Sequence, residues 1–386
     1  MPVNLKNVAR DRIDHERNAL IDLSHRIHGK PELAFEEEHA AGWLCEALDA
    51  GGFQVTRGVG GLDTAFVARA GSGPLHIAIC AEYDALPGIG HACGHNLIAA
   101  MAVGAALGAA RVADEVGVTI TVVGTPAEEA GGGKILLMQR GVFAGVHAAM
   151  MVHPAPVDIA APPMLAYSQF DVHYHGKAAH ASAFPELGIN AADALTIAQT
   201  AIGLLRQHIR PTDRVHGIVL KGGDAPNVIP SHTCGRYIVR ARTLADLGDI
   251  RPKVMRCFEA GALATGARME VQSTEEAYAE VTHDLPIAAL YQRNAEAVGR
   301  FFPDLGAALE RNTGSTDMGN VSTVIPSIHP TIGIASLPAV NHQPEFAAHC
   351  ATPVADQAIH DGAVAMAWTA IDVASDAPLR ARLLGR

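Results

Sequence analysis

Three short apolar runs set the frame of this chain: Leu75-His76-Ile77-Ala78-Ile79-Cys80, Val118-Thr119-Ile120-Thr121-Val122-Val123 and Ala148-Ala149-Met150-Met151-Val152. Each has the length of a buried strand, and helix-like stretches separate them, so the pattern predicts β-α-β-α-β with a parallel sheet. Two helices are expected to open the chain. Ala40, Leu44 and Leu48 form an apolar stripe on the second, and Gly51-Gly52 ends it. Residues 97–110 are small and apolar throughout and carry Gly104 and Gly108. They fall short of the roughly 20 residues a membrane span needs, which predicts a buried helix.

The texture changes near Gln169. Phe170, Val172 and Tyr174 alternate as in a half-exposed strand, and residues 190–208 read as an amphipathic helix. Strands are expected over 215–221 and 235–242, joined through Gly222-Gly223 and Pro226, then a helix over 244–264 and a strand over 269–273. The order β-α-β-β-α-β is that of a ferredoxin-like module. After it the chain returns to helix over 285–301 and to a strand over 331–335. The expected fold class is therefore α/β: a mostly parallel-sheet domain with helices on both faces, discontinuous over 1–167 and 278–386, and a ferredoxin-like domain inserted at 168–277.

With 386 residues, 49% of them apolar, the chain can bury a substantial core. A net charge of −11 argues against nucleic acid or an anionic membrane as partner and favours a small molecule. Residues 1–12 are polar and charged, without the apolar stretch of a secretory signal. Six scattered cysteines without a CxxC pair suit a reducing compartment, so a cytoplasmic location is expected.

In open α/β sheets, ligands bind outside the carboxyl ends of the strands. The segments after the three runs hold the candidate chemistry. His91-Ala92-Cys93-Gly94-His95-Asn96 pairs a thiolate and an imidazole across a glycine, donors suited to zinc and similar ions. The bland reading is a buried free cysteine beside a helix-capping Asn96. Thr125-Pro126-Ala127-Glu128-Glu129 places two carboxylates side by side. They repel unless a cation or proton lies between them, and one could bind metal while the other accepts a proton from water. The commoner explanation of such a pair is a solvated loop, or acidic residues at the start of the next helix. His153 closes the third strand, and Asn341-His342-Gln343-Pro344 supplies another histidine on a loop. One Cys, three His and two Glu at strand ends point jointly to a metalloenzyme.

The segments Ala81-Glu82-Tyr83-Asp84-Ala85-Leu86-Pro87-Gly88, His91-Ala92-Cys93-Gly94-His95-Asn96, Pro126-Ala127-Glu128-Glu129 and His342-Gln343-Pro344-Glu345-Phe346 resemble the dinuclear metallopeptidases of the aminoacylase and carboxypeptidase G kind. They are most similar to the Cys/His amidohydrolase subfamily, in its aminobenzoyl-glutamate hydrolase and β-alanyl-dipeptidase branch. The likeness runs from His25-Arg26-Ile27-His28 and Pro31-Glu32 to Glu345-Phe346, and Gly314-Ser315-Thr316-Asp317-Met318-Gly319 shares it. The resemblance implies two divalent ions bound by Cys93, His95, Glu129, His153 and His342, zinc first, with manganese, cobalt or nickel as alternatives. It implies Glu128 as general base. In the inserted domain it implies that His180, Asn227 and Arg240 hold the substrate carboxylate and the oxyanion, with His180 reaching into the other subunit of a homodimer. Where the wider family has His-x-Asp, this chain has Glu82-Tyr83-Asp84, and Asp84 is expected to orient a ligand. Asn96 stands where many Cys/His relatives carry Asp.

The expected activity is metal-dependent hydrolysis of the amide bond of an N-acyl amino acid or dipeptide. A non-catalytic metal- or amino-acid-binding homologue is the alternative, against which the Glu128-Glu129 pair counts, because a binder needs no base. A zinc deaminase is excluded by the lack of a Pro-Cys-x-x-Cys partner for any His-x-Glu.

Overall fold

The computed structural model describes residues 4–311 and 314–385, without the side chains of residues 307, 310 and 311. The chain forms two compact units, Met1–Pro163 with Val281–Arg386, and Met164–Glu280.

The first unit opens on α1 (Leu5–Gly29), whose N-cap Asn4 accepts a hydrogen bond from the Lys6 N–H, and which buries Ile13, Leu20, Leu23 and Ile27. There follow α2 (Glu38–Ala50), β1 (Gln54–Arg57), β2 (Phe66–Ala70), β3 (Leu75–Ala81), α3 (His95–Ala110), α4 (Ala113–Val116), β4 (Val118–Gly124), α5 (Gly133–Gln139), β5 (Ala148–Met150) and β6 (His153–Ala155). The inserted unit contains β7 (Ala166–His175), α6 (Ala191–Leu205), β8 (Arg214–Lys221), β9 (His232–Ala241), α7 (Leu244–Thr265) and β10 (Arg268–Ser273). The chain returns through α8 (Leu285–Ala297), α9 (Met318–Ser322), β11 (Ser327–Ile328), β12 (Thr331–Gly333), α10 (Pro344–His349), α11 (Pro353–Ser375) and α12 (Ala377–Leu384).

The main sheet has the order β1-β2-β4-β3-β5-β11. β4, β3, β5 and β11 run parallel, as the apolar runs predict, while β1 and β2 add an antiparallel edge. Helix α3 lies against β3 and β4 and is buried on all sides. Its alanines favour helix, and its glycines allow α1 to come close: a Cβ at Gly108 would stand 2.9 Å from the Ala9 carbonyl oxygen. Burying Leu97, Ile98, Met101, Val103 and Leu107 stabilises the unit by about 1.5–3 kcal/mol per side chain. Among the described residues no helix is long and apolar enough to cross a membrane.

The inserted unit is an antiparallel sheet of order β10-β7-β9-β8, the arrangement expected of a ferredoxin-like module. Phe170, Val172 and Tyr174 of β7 and Tyr237 and Val239 of β9 form one face, buried with Ala194, Leu195, Val254 and Phe258 of α6 and α7.

Three local expectations change. His95 is the first residue of α3 and not a loop residue, because the turn closes at Gly94. Asn96 does not cap that helix: its amide donates to Ser24 Oγ (2.8 Å) and to the Cys350 carbonyl (3.0 Å), tying α3 to two distant segments. His153 begins a separate strand pair, β6 with β12, and does not end β5.

Candidate metal centre

The carboxyl ends of β3 and β4 feed the two loops that build the site. After β3, the chain runs through Glu82, Tyr83 and Asp84, all fully buried or nearly so, and turns at Gly94 into α3. Gly94 has φ +80°, and a Cβ there would stand 2.4 Å from Pro154 Cγ, so the residue between Cys93 and His95 has no room for a side chain. After β4, Ala127 sits in the left-handed region (φ +59°) and presents Glu128 and Glu129. His342 also has a positive φ (+69°), and its N–H donates to the Ala92 carbonyl (2.8 Å). Two non-glycine residues in that region within one site mark strain held by the surrounding structure.

These loops bring together Cys93, His95, Glu128, Glu129, His153, His342 and Asp84. Cys93 Sγ lies 3.4 Å from His153 Nε2. His95 Nε2 lies 3.7 Å from Glu129 Oε1 and 3.9 Å from Glu128 Oε2, and His342 Nε2 lies 3.5 Å from Glu129 Oε2. Donor atoms at such separations are too far apart for good hydrogen bonds, but they suit atoms that share an ion at about 2.0–2.3 Å. Cys93, His95 and His153 form one such triad, and Cys93, Glu129 and His342 a second.

Both buried histidines are held in the tautomer a ligand needs. His95 Nδ1 donates to Asp84 Oδ1 (2.9 Å), which turns the Nε2 lone pair inward. His153 Nδ1 donates to the Pro154 carbonyl (2.8 Å), with the same result. Asp84 also accepts from the Glu129 N–H through Oδ2 (2.9 Å), so one carboxylate orients two of the candidate ligands. His95 Nε2 and Glu129 Oε1 are buried without a hydrogen-bond partner, an expensive state unless a cation completes it.

Electrostatics point the same way. Burial, then the neighbouring carboxylates Glu82 and Glu129, push Glu128 well above the usual carboxylate range. Burial and Glu129 do the same to the Cys93 thiol. Burial, followed by His95, holds His153 down at about 4, so its imidazole is neutral at pH 7. So many buried acids cannot ionise together without positive charge, which divalent ions would bring. The donor set fits them.

Two buried networks beside the site escape a reading of the sequence. Lys134, fully buried at the start of α5, donates to Glu82 Oε1 (2.5 Å) and Asp317 Oδ1 (2.6 Å). Its only local signal is a lone lysine between Gly131-Gly132-Gly133 and an apolar run. Glu37 accepts from the Ala127 N–H (2.9 Å), the Phe35 N–H (3.0 Å) and Thr64 Oγ1 (2.8 Å), fixing the turn before Glu128.

Burial, reinforced by Asp84, raises the Glu37 carboxyl to about 7. The unfolded chain ionises this group near 4.5, so the folded state alone holds its proton between the two values. Stability from this group is complete below the unfolded value and declines as pH rises to about 7, by about 3 kcal/mol. In metal-free protein, Glu37→Gln is expected to flatten the fall in urea midpoint between about pH 5 and 7.5. Parallel curves for the two proteins would show that Glu37 ionises freely.

In the inserted unit, His180 and Asn227 lie side by side: the Ala181 N–H donates to the Asn227 carbonyl (3.0 Å) and His180 bridges Val228. His180 Nδ1 accepts from the N–H groups of Ser182 (3.3 Å) and Ala183 (3.2 Å), leaving Nε2–H as the donor. Arg240 lies on β9 with its guanidinium 5.4 Å from the centre of the Tyr167 ring.

The family model described as Peptidase family M20/M25/M40 matches residues 78–366. The Xaa-Arg dipeptidase of Mus musculus is 40% identical over 383 residues, 96% of this chain and 89% of that protein. A p-aminobenzoyl-glutamate hydrolase of Escherichia coli (strain K12) is 32% identical over 342 residues, 81% of this chain and 71% of that protein. Among solved structures, a dinuclear metal binding peptidase of Bacillus subtilis shares the fold with a TM-score of 0.71 at 21% identity, covering 94% of this chain and 99% of that one.

Proposed function

We propose that this chain, which belongs to the peptidase family M20/M25/M40 and is a metal-dependent hydrolase of that family, cleaves dipeptides with a free carboxylate and a basic C-terminal residue. The residue preference follows the relative named Xaa-Arg dipeptidase. The catalytic reading rests on one observation, the buried and unpartnered His95 Nε2 and Glu129 Oε1 beside Cys93 and a neutral His153.

Cys93, His95, Glu129, His153 and His342 would hold two ions, zinc first by the thiolate and imidazole donors, with manganese, cobalt and nickel as alternatives. When bound, such ions lower the pKa of water to about 7 and polarise a carbonyl. Glu128 takes the proton of the attacking water and delivers it to the leaving amine. His180 offers its Nε2–H to the developing oxyanion. Arg240, whose guanidinium fork matches a carboxylate, grips the substrate terminus with Asn227. His180 acts in the site of a second copy of the chain, in a homodimer. Six free cysteines support a cytoplasmic location.

The test is a panel of Xaa-Arg, Xaa-Lys and Xaa-Glu dipeptides, p-aminobenzoyl-glutamate and a carboxyl-amidated Xaa-Arg, with zinc, manganese or cobalt loaded separately. The Xaa-Arg dipeptides are expected to lead, and amidation to lower kcat/KM roughly 10- to 100-fold, the value of a charge-assisted hydrogen bond. Equal hydrolysis of the amidated peptide would remove the Arg240 clamp. For the dimer, inactive His180→Ala and Glu128→Gln chains are mixed and allowed to exchange. A mixed dimer then holds one site with both defects and one with neither, restoring up to about a quarter of wild-type activity. No recovery despite proven exchange would place His180 in its own chain's site.

A further inference from the structure

The face of the inserted sheet that turns away from α6 and α7 carries an unusual set of side chains. Strand register explains how they meet. His173 pairs directly with Cys234, Asp171 with Arg236 and His175 with His232 across β7 and β9, and Glu270 of β10 stands opposite His173. Since side chains alternate along a strand, all of these project on the face opposite Phe170, Val172 and Tyr174.

We propose that Asp171, His173 and Cys234 form a third metal site, for a transition ion of the zinc type, separate from the centre at the ends of β3 and β4. One carboxylate oxygen, one imidazole nitrogen and the thiol sulfur of these residues lie within 4.8 Å of one another. Cys234 Sγ is 3.7 Å from His173 Nε2. Tetrahedral bonds of about 2.3 Å to sulfur and about 2.0–2.1 Å to nitrogen require a separation of roughly 3.6 Å. The other nitrogen, His173 Nδ1, is 3.1 Å from His232 Nε2. That bond holds the His173 ring and leaves Nε2 facing Cys234, the support that metal-ligating histidines regularly receive. His232 in turn stacks on His175, with ring centres 5.0 Å apart and planes at 8°.

Asp171 is held from one side by Arg236, whose Nε and Nη2 donate to Oδ1 (2.8 Å) and Oδ2 (2.9 Å). Each carboxylate oxygen keeps a second lone pair, so the pairing orients the group without exhausting it. Thiolate and imidazole donors favour zinc, cobalt or nickel over magnesium or calcium. Cys234 is six residues from Arg240 on the same strand, about 20 Å away, so this site is distinct from the substrate clamp.

The experiment follows thiolate-to-cobalt charge-transfer absorption in full-length, metal-free Cys93→Ser protein, whose active-site thiol is gone. One equivalent of cobalt is expected to give the band. Cys234→Ser in that background abolishes it, and His232→Ala weakens cobalt affinity roughly 10- to 100-fold. No band in the Cys93→Ser protein, or a band that survives Cys234→Ser, overturns the proposal. Equilibrium dialysis against zinc supplies an independent count in the wild-type background. Cys234→Ala is expected to bind one ion fewer per chain than the wild type, and equal counts overturn the site even if Cys93→Ser fails to fold.

Discussion

Glu128→Gln is expected to lower kcat by about 10²–10⁴-fold while leaving metal content and KM close to wild type. The substitution keeps the shape of the side chain and removes its capacity to take a proton. Its position separates it from Glu129. Glu129 spans the site, with one oxygen 3.7 Å from His95 Nε2 and the other 3.5 Å from His342 Nε2. Glu128 instead stands with Glu82 and His95, its Oε2 3.9 Å from His95 Nε2. Crowding by burial, Glu82 and Glu129 raises its pKa, the direction that suits a group that must hold a proton between two steps. Elemental analysis of the loaded variant decides the assignment. A protein that keeps its ions and its activity shows that Glu128 is not the base, and one that loses an ion exchanges the roles of Glu128 and Glu129.

What is legible in the sequence and what is hidden there divide along a physical line. The runs that form β3 and β4, the continuous apolar helix α3 and the alternation of Phe170, Val172 and Tyr174 are local patterns, each imposed by burial over a few consecutive residues. The ligand types stand out because Cys, His and Glu cluster beside those runs. The β1–β2 edge is invisible: β1 is only four residues long and mostly exposed, so it has no apolar signature. The neighbours of Asn96 suggest a helix cap, yet its partners are Ser24 and Cys350, 72 and 254 residues away. Lys134 meets Glu82 and Asp317 across 52 and 183 residues, and Glu37 meets Ala127 across 90. Contacts of that range leave no period in the chain. The residues that could bear chemistry are therefore legible, while those that hold them in place are not.

Lys134→Met is expected to destabilise the metal-free protein by about 3–5 kcal/mol near pH 7, the usual penalty for removing one partner of a buried ionic group. Lys134, Glu82 and Asp317 are all fully buried, and the lysine is the cation the two carboxylates share. Asp317 also accepts from the Lys134 N–H (2.8 Å), so the start of α5 is tied to the start of α9 through the same group. Even with the lysine present, burial lifts Asp317 to about 6, and without it the carboxyl should rise further. The sign of the pH effect follows. A folded-state pKa raised above the unfolded value contributes stability at low pH that is lost as pH rises, so Lys134→Met should be hurt least near about pH 5 and most above about 7. Neutralising the whole group with Lys134→Met, Glu82→Gln and Asp317→Asn should recover most of the loss, because no unpaired charge remains buried. Denaturant midpoints and slopes measured from about pH 5 to 8 in the presence of a chelator read the comparison without the stabilisation that bound ions would add. If Lys134→Met unfolds at the wild-type midpoint across that range, the lysine is not what keeps Glu82 and Asp317 ionised beside the metal centre.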